Sequence, residues 1–568
     1  MSWAWMSPGY QSRPYQRNAF AAIGPVASLR IVNKPISPDG FPRSAVLADG
    51  TFPGPLIRAN KNDDFSLNVL NELTNSTMDL VTSVHWHGIF QKTTNYADGG
   101  AMVNQCPIVP KKSFLYQFNA GEQTGTYWYH SHFKAQYCDG LRGPLVIYDP
   151  NDPHRALYNI DNEYTVITLG DWYHAVSSAM SQFSSTLING KGRYPGGPQN
   201  VPLAVVNVQS GLRYRLRLVS ISCDPAYKFS IDKHQLTVIE VDGNNVKEVV
   251  VDSLDIFAGQ RYSVVLYANQ ASAAYWIRAL PNAEGQNFAG FTNVAILRYV
   301  DARVPDPPTD PNVDIPRSLL PLNETDLHPL FPTPVPGPPC RGCADYNFNL
   351  NVTVDQKPPP PGQKAPFFVN GTSYQSPSVP VLLQILNGID PYKLLPNGSI
   401  YPINRSMSVE LSIPAGVAAG PHPVHLHGHS FHVVRSANSS KYNYEDPVIR
   451  DVVSMGNSTF GGDNVTIRFY TDNPGPWFFH CHIEEHLVRG FAVVFAEDTK
   501  HVKSEVVPPP QWSTLCPAYS SYVTSSASVK PTRVPDVPTP VLSSEYYPTL
   551  SHLSVSPSQI PLLPTPWP

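Results

Sequence analysis

Short runs of alternating apolar and polar residues, cut by glycine, proline and asparagine, recur along this chain and predict strands. Leu29-Arg30-Ile31-Val32, Phe65-Ser66-Leu67-Asn68-Val69 and Leu145-Val146-Ile147-Tyr148 lie near its start. A period of two sends alternate side chains to opposite faces, so each strand can bury one face. The pattern returns mid-chain in Tyr164-Thr165-Val166-Ile167, Arg213-Tyr214-Arg215-Leu216-Arg217 and Tyr262-Ser263-Val264-Val265-Leu266. Many short strands with turn signals between them read as an all-β chain of sandwiches. From Val304 to Pro366 prolines crowd the sequence, four in a row at Pro358 to Pro361, and predict an extended surface linker. Beyond Cys516 the chain turns Ser-, Pro- and Thr-rich, which predicts a disordered tail.

Length refines this picture. At 568 residues the chain exceeds one core and suggests about three domains at ~150 residues each. The expected divisions are 22–150, 151–322 and 323–516, with a leader over 1–21 and the tail over 517–568. Sixty prolines and only 15% charged residues favour sheets joined by rigid loops. A net charge of −4 with a pI near 6.5 offers nothing to nucleic acid or an anionic membrane. Nor does any apolar run approach the ~18 residues of a membrane span.

Ten of the 18 histidines fall in four tight clusters with one cysteine. They are His85-Trp86-His87, His130-Ser131-His132, His422-Pro423-Val424-His425-Leu426-His427, and His480-Cys481-His482 followed by His486. Imidazole and thiolate together are a ligand set for copper. In an extended strand, residues i and i+2 share a face about 6.6 Å apart at ~3.3 Å rise per residue. Paired rings at that spacing suit two neighbouring metals, roughly 3.5–4 Å apart in multinuclear sites. If His480 and His482 face one way, Cys481 faces the other and its sulfur serves a different metal. Adjacent ligands on opposite faces make a covalent electron path between two centres. A zinc-hydrolase reading of His482 to His486 fails, because that helical motif needs glutamate directly after the first histidine and Ile483 stands there.

The segments HWHGIFQKTTNYADGGAMVNQCPI, GTYWYHSHFKAQYCDGLRGPLVIYD, HPVHLHGHSFHVVRS and GPWFFHCHIEEHLVRGFAVVFAED resemble the four signature regions of the multicopper oxidases, most closely those of fungal laccases of the basidiomycete type. The resemblance runs from about Ala22 to Cys516 and implies three tandem cupredoxin-like Greek-key β-sandwiches. It further implies four copper ions. His422, Cys481 and His486 would hold the type 1 copper, and His85 and His425 the type 2. The type 3 pair would be held by His87, His130 and His482 on one ion, and by His132, His427 and His480 on the other. The trinuclear cluster would then lie between the first and third domains, with a copper-free middle domain. Phe491 falls at the axial position of the type 1 copper, where it donates nothing and favours a high potential. Asp224 matches a carboxylate beside the type 1 pocket that accepts a substrate proton. Asp98 and Glu484 match proton-relay positions at the cluster. Glu485 and Arg489 depart from the usual residues. Partners implied are O2 and phenolic or aromatic-amine donors, for a secreted monomer. A ferroxidase and a non-catalytic wall protein are the alternatives.

The same resemblance pairs Cys106 with Cys516 and Cys138 with Cys223. Cys340 and Cys343 stand in an added Pro-Pro-Cys-Arg-Gly-Cys stretch, read as a local disulfide rather than a redox motif because no βαβ context surrounds it. Sequons at Asn75, Asn323, Asn351, Asn370, Asn397, Asn404, Asn438, Asn457 and Asn464 fit an oxidising, extracellular setting. Residues 1–21 lack a secretory apolar stretch, although Ala19-Phe20-Ala21 resembles a cleavage site. This reads as a replaced or mispredicted first exon, with an intracellular form as the alternative. His154, His174, His234, His328, His501 and His552 read as ordinary surface or core residues, and His429 and His432 as packing or support.

Overall fold

A computed structural model describes residues 20–528, apart from 180–181, 305, 314–318, 356–358, 360–363, 418–419 and 457–463. Strands dominate and pair into sheets in three successive blocks. Residues 22–148 form a five-stranded and a four-stranded sheet, and residues 166–299 a seven-stranded and a five-stranded sheet. Residues 346–497 form two five-stranded sheets and a two-stranded ribbon. The alternation behind this is literal. Along Asp64–Glu72 the odd residues Phe65, Leu67 and Val69 are buried, and Phe65 stacks on Phe118 of the neighbouring strand with ring centroids 4.8 Å apart.

Apolar clusters run across the blocks. One contains Ile167 and Leu297 of the middle block with Leu411 and Phe495 of the third. Another joins Leu67 and Val84 of the first block to Val494 and Val506, and a third joins Trp128 to Val166 and Ile221. Each fully buried aliphatic side chain contributes about 1.5–3 kcal/mol, so every pair of blocks is sealed by burial. Disulfides Cys106–Cys516 and Cys138–Cys223 add covalent ties, Cys340–Cys343 closes locally, and Cys481 remains a free buried thiol.

Two expectations need correction. The stretch 304–366 is not wholly linker, because Tyr346–Asn349 pairs with Ser408–Pro414 and Val352–Val354 pairs with Phe367–Val369. Its alternating Tyr346, Phe348, Leu350 and Val352 supply apolar faces that outweigh the nearby prolines. The tail is not irregular from 517. A helix spans Leu515–Ser528, held by Cys516 and by Ala518, Tyr519 and Tyr522 against Val81, Val109 and Phe133. The leader over 1–19 and the tail after 528 lie outside the described residues.

Candidate metal centres

Two antiparallel strand pairs carry the four clusters, one pair in the first block and one in the third. Val84–His87 pairs with Gly125–Ser131, setting His85 opposite His130. Pro423–Leu426 pairs with Gly475–Cys481, setting His425 opposite His480. The rings of His85 and His87, of His130 and His132, and of His480 and His482 each lie 5.7 Å apart, as same-face neighbours do. The two blocks meet ring to ring: His85 stacks on His427 at 3.9 Å and His87 on His425 at 3.8 Å.

Eight histidines thus enclose one buried space. Donor atoms of His85, His87 and His425, of His87, His130 and His482, and of His132, His427 and His480 each gather within 4.8 Å. Outward-facing nitrogens are held by acceptors. Nδ1 of His85 donates to the Asp98 carbonyl (2.7 Å), that of His425 to the Asp451 carbonyl (2.8 Å), and that of His427 to the Asp98 carboxylate (2.8 Å). His130 and His480 donate Nδ1 protons to the Ser131 and Cys481 carbonyls, both at 2.9 Å. An imidazole that donates from Nδ1 has an Nε2 lone pair left over. Nε2 of His85, His130, His132 and His425 is buried without a hydrogen-bond partner among the described residues. Burial first, then mutual repulsion, holds His87, His130, His132, His425, His427 and His480 well below the usual histidine range. Neutral rings with converging lone pairs are uncomfortable unless a cation sits among them.

A smaller triangle lies on the other side of Cys481. Its Sγ is 3.7 Å from His422 Nδ1 and 3.6 Å from His486 Nδ1, and those two nitrogens are 3.1 Å apart. The chain folds tightly to form it. After the strand ends at Cys481, helix Glu484–Val488 brings His486 back, and the Phe491 amide donates to the His486 carbonyl at 3.0 Å. The Cys481 amide in turn donates to the Phe491 carbonyl at 3.1 Å. Burial pushes the thiol up, so only a bound metal would hold it as thiolate. Two imidazoles and a thiol in one plane-sized triangle match a trigonal copper site, and eight imidazoles match a cluster.

Family profiles described as multicopper oxidase match residues 30–152, 163–302 and 374–501. Laccase-2 of Trametes versicolor is 55% identical over 508 residues, 88% of this chain and 95% of that protein. The chain belongs to the multicopper oxidase family. Laccase-2 of Pleurotus ostreatus is 53% identical, covering 89% of this chain and 94% of that protein. Among solved structures, a Botrytis aclada laccase matches with TM-score 0.73 and 29% identity over 90% of this chain and 93% of that one. Fet3p, a multicopper oxidase that functions in iron import, matches with TM-score 0.74 and 26% identity over 88% and 95%. The oxidase carries the type 1 and trinuclear copper centres of its family, and the two histidine groups fit them.

The remaining expected residues surround these centres. Asp98 is fully buried and touches His85 and His427 from behind. Glu484 is buried beside the Cys138–Cys223 bridge, its amide donating to the Cys223 carbonyl at 2.9 Å, and burial lifts its carboxyl well above the usual range. Asp224 keeps exposed surface while protein crowds its carboxyl, and its amide is fixed on Asp171 at 3.1 Å. Surrounding protein, then the charges of Asp171 and Glu485, push its carboxyl up to about 7. Phe491 is buried with its ring 5.4 Å from that of His422.

Several contacts around the centres have no signature in the sequence, even where, as at Glu485 and Arg489, the residue itself stands out. Phe367 lies 4.6 Å from His486 and stacks on Phe491 at 5.5 Å, forming an apolar wall. Arg489 clamps it, with Nε donating to the Ala365 carbonyl at 2.6 Å and the guanidinium 4.6 Å above the Phe367 ring. Glu485 takes Arg489 at 3.0 Å and Lys364 at 2.7 Å. At the cluster, Asp451 accepts both guanidinium nitrogens of Arg261 at 2.6 Å. Gly259, at φ 85°, leaves room for His482, since a Cβ would sit 2.9 Å from that ring. The other histidines have ordinary partners: His174 meets Asp39, His234 Tyr299, His328 Asp446, His501 Asp498, His429 Glu497 and His432 Thr333. His154 is buried near Arg215, and His552 lies outside the described residues.

Proposed function

We propose that the chain is a laccase, removing single electrons from phenols and aromatic amines at the type 1 site and reducing O2 to water at the cluster. The observation that carries this is the His480-Cys481-His482 junction, whose cysteine enters one donor group and whose histidines enter the other. Identity of 53–55% to Trametes and Pleurotus laccases supports the same donor class. When bound, the coppers supply storage of the four electrons that O2 requires. Cys481 fixes the distance between the centres to a few covalent bonds, and the His480 Nδ1–Cys481 carbonyl bond ties that path. Phe367 and Phe491 keep water from the small site. Asp224 accepts the proton a phenol releases as it is oxidised. Asp98 orients His85 and His427 and, with Glu484, holds protons near the cluster. A secreted monomer is the matching setting; the disulfides suit it, and no described helix is long and apolar enough to cross a membrane.

Likeness to the iron-import oxidase favours ferroxidation as a second reading. It wants several unengaged carboxylates beside His486, yet both Glu485 oxygens are taken by Lys364 and Arg489, which leaves Asp224 as the carboxylate on that side. Oxygen uptake by copper-loaded enzyme, with 2,6-dimethoxyphenol or Fe(II) as donor, tests this. Faster turnover of the phenol is expected, and a clear preference for Fe(II) would overturn the laccase reading.

A further inference from the structure

Between the middle and third blocks lies a cavity of about 970 Å³ that the copper centres do not use. Domain junctions are where proteins place ligand clefts of ~300–1,000 Å³. Two glycosylation sequons line it, Asn323-Glu324-Thr325 and Asn438-Ser439-Ser440. Each asparagine is exposed. The first sequon is pinned to the wall, because buried Arg450 donates to Glu324 at 2.6 Å, and Asn323 Nδ2 donates to Asp326 at 3.0 Å. The second stands at the tip of a turn in which the Ser439 amide donates to the Ser436 carbonyl at 3.2 Å. Asn438 there has φ 62°, a conformation asparagine tolerates.

The lining is mixed. Lys228, Asp255 and Gln260 offer charged and amide groups, while Phe257, Tyr262 and Val448 offer apolar surface. N-acetylglucosamine has the same duality, with hydroxyl and amide edges around apolar ring faces. Neither a flat aromatic donor nor an inorganic ion needs both in so large a space.

We propose that an N-linked glycan on Asn438 folds into this cleft, its first N-acetylglucosamine units wedged between the middle and third domains. The modification joins the Asn438 side-chain nitrogen to C1 of the sugar, and the lipid-linked oligosaccharide of the secretory pathway is the donor, its diphosphate leaving as the bond forms. The inference rests on the secreted reading above. It extends that reading, because the sugar becomes part of the domain interface.

The test is full-length, copper-loaded enzyme secreted from a fungal host. Glycopeptide mapping should find Asn438 occupied. Native enzyme treated with peptide-N-glycosidase should release that glycan about tenfold more slowly than the exposed glycan of Asn397, the effect of a contact worth about 1.4 kcal/mol. The difference should vanish after denaturation. Ser440→Ala, which removes the glycan but keeps Asn438, should lower the melting temperature as much as Asn438→Gln, while Asn397→Gln should not. Equal native release at Asn438 and Asn397, or active enzyme bare at Asn438, would overturn the cleft alone. Phenol turnover of the same preparation is read separately, so a glycosylated but inactive protein counts against the laccase reading and leaves the cleft standing.

Discussion

Asp224→Asn should separate phenol oxidation from plain electron uptake. A phenol that loses an electron becomes a strongly acidic radical cation, so the transition state gains from a base within reach. A donor that gives up only an electron gains nothing. The carboxyl of Asp224 is pushed up to about 7 by the protein around it, then by Asp171 and Glu485, with Lys364 opposing. Only the ionised form accepts a proton, so the phenol-specific part of the rate should climb with pH and level off above the midpoint. Two pH units below it only about 1% of a carboxyl is ionised. A copper ion at the nearby Cys481 site would favour the carboxylate and so lower the midpoint in loaded enzyme. Above the midpoint, Asp224→Asn should lower kcat/KM for 2,6-dimethoxyphenol about 10- to 100-fold, the lower end of general-base effects. Toward acid pH the two enzymes should converge. The assay is the ratio of phenol to non-phenolic donor kcat/KM across pH, which cancels changes at the O2-reducing cluster common to both. Wild type should give a rising ratio with a plateau. The variant should stay flat until the phenol's own ionisation, so its optimum moves upward. If both donors slow equally, or the variant keeps the wild-type slope, Asp224 only shapes its loop.

Phe491→Met should lower the type 1 potential in a redox titration, because a thioether beside His422 stabilises oxidised copper; an unchanged or higher potential would show that residue 491 is not axial. Arg489→Ala should loosen Phe367 from His486 and broaden the type 1 electron paramagnetic resonance signal while copper content stays full, and an unaltered signal would refute the clamp. Glu240 is buried; burial alone would raise its carboxyl, but Arg215 and Arg217 hold it down to about 2. A depressed carboxyl contributes stability that is whole above its unfolded value near 4.5 and lost as pH falls toward about 2. Glu240→Gln should therefore cost about 3–5 kcal/mol at neutral pH in denaturant melts, the penalty for breaking a buried ion pair, and much less near pH 3; an equal loss at both would point to packing instead.

The candidate ligand histidines were legible because strand geometry is local. His85 and His87, or His480 and His482, share a face whatever the rest of the chain does, and Cys481 must oppose them. Their expected partition among metals came from the family resemblance, since spacing alone could not say that His85 and His425 would meet across two domains. Phe367 was hidden for a related reason, and so was the grip that Arg489, marked in the sequence only as a departure, has on it. Phe367 lies in a proline-dense stretch that reads as linker, and its approach to His486 depends on the short pairing of Val352–Val354 with Phe367–Val369. The tail helix was missed because its Ser- and Tyr-rich sequence lacks periodicity; the Cys106–Cys516 bridge and Tyr519 supply the packing that composition did not advertise.

The middle domain is expected from sequence to be copper-free, yet one of its side chains bears on both walls of the cluster. Arg261 donates from Nε to the Thr126 carbonyl of the first domain at 3.0 Å and from both terminal nitrogens to Asp451 of the third at 2.6 Å. Asp451 in turn receives His425 Nδ1 on its carbonyl at 2.8 Å and faces His87 Nε2 at 3.3 Å with its carboxylate. A single planar guanidinium thus links a first-domain strand that carries His130 to the residue that orients ligands from both outer domains. Five fixed donors make arginine suited to this, where lysine's single ammonium would serve one wall at a time. Gly259, two residues earlier, accepts a further bond from Arg261 on its carbonyl at 3.0 Å and leaves room for the His482 and His87 rings. A cluster assembled from two domains needs its halves held within fractions of an ångström, and a third body gripping both does this more rigidly than either half can do for itself.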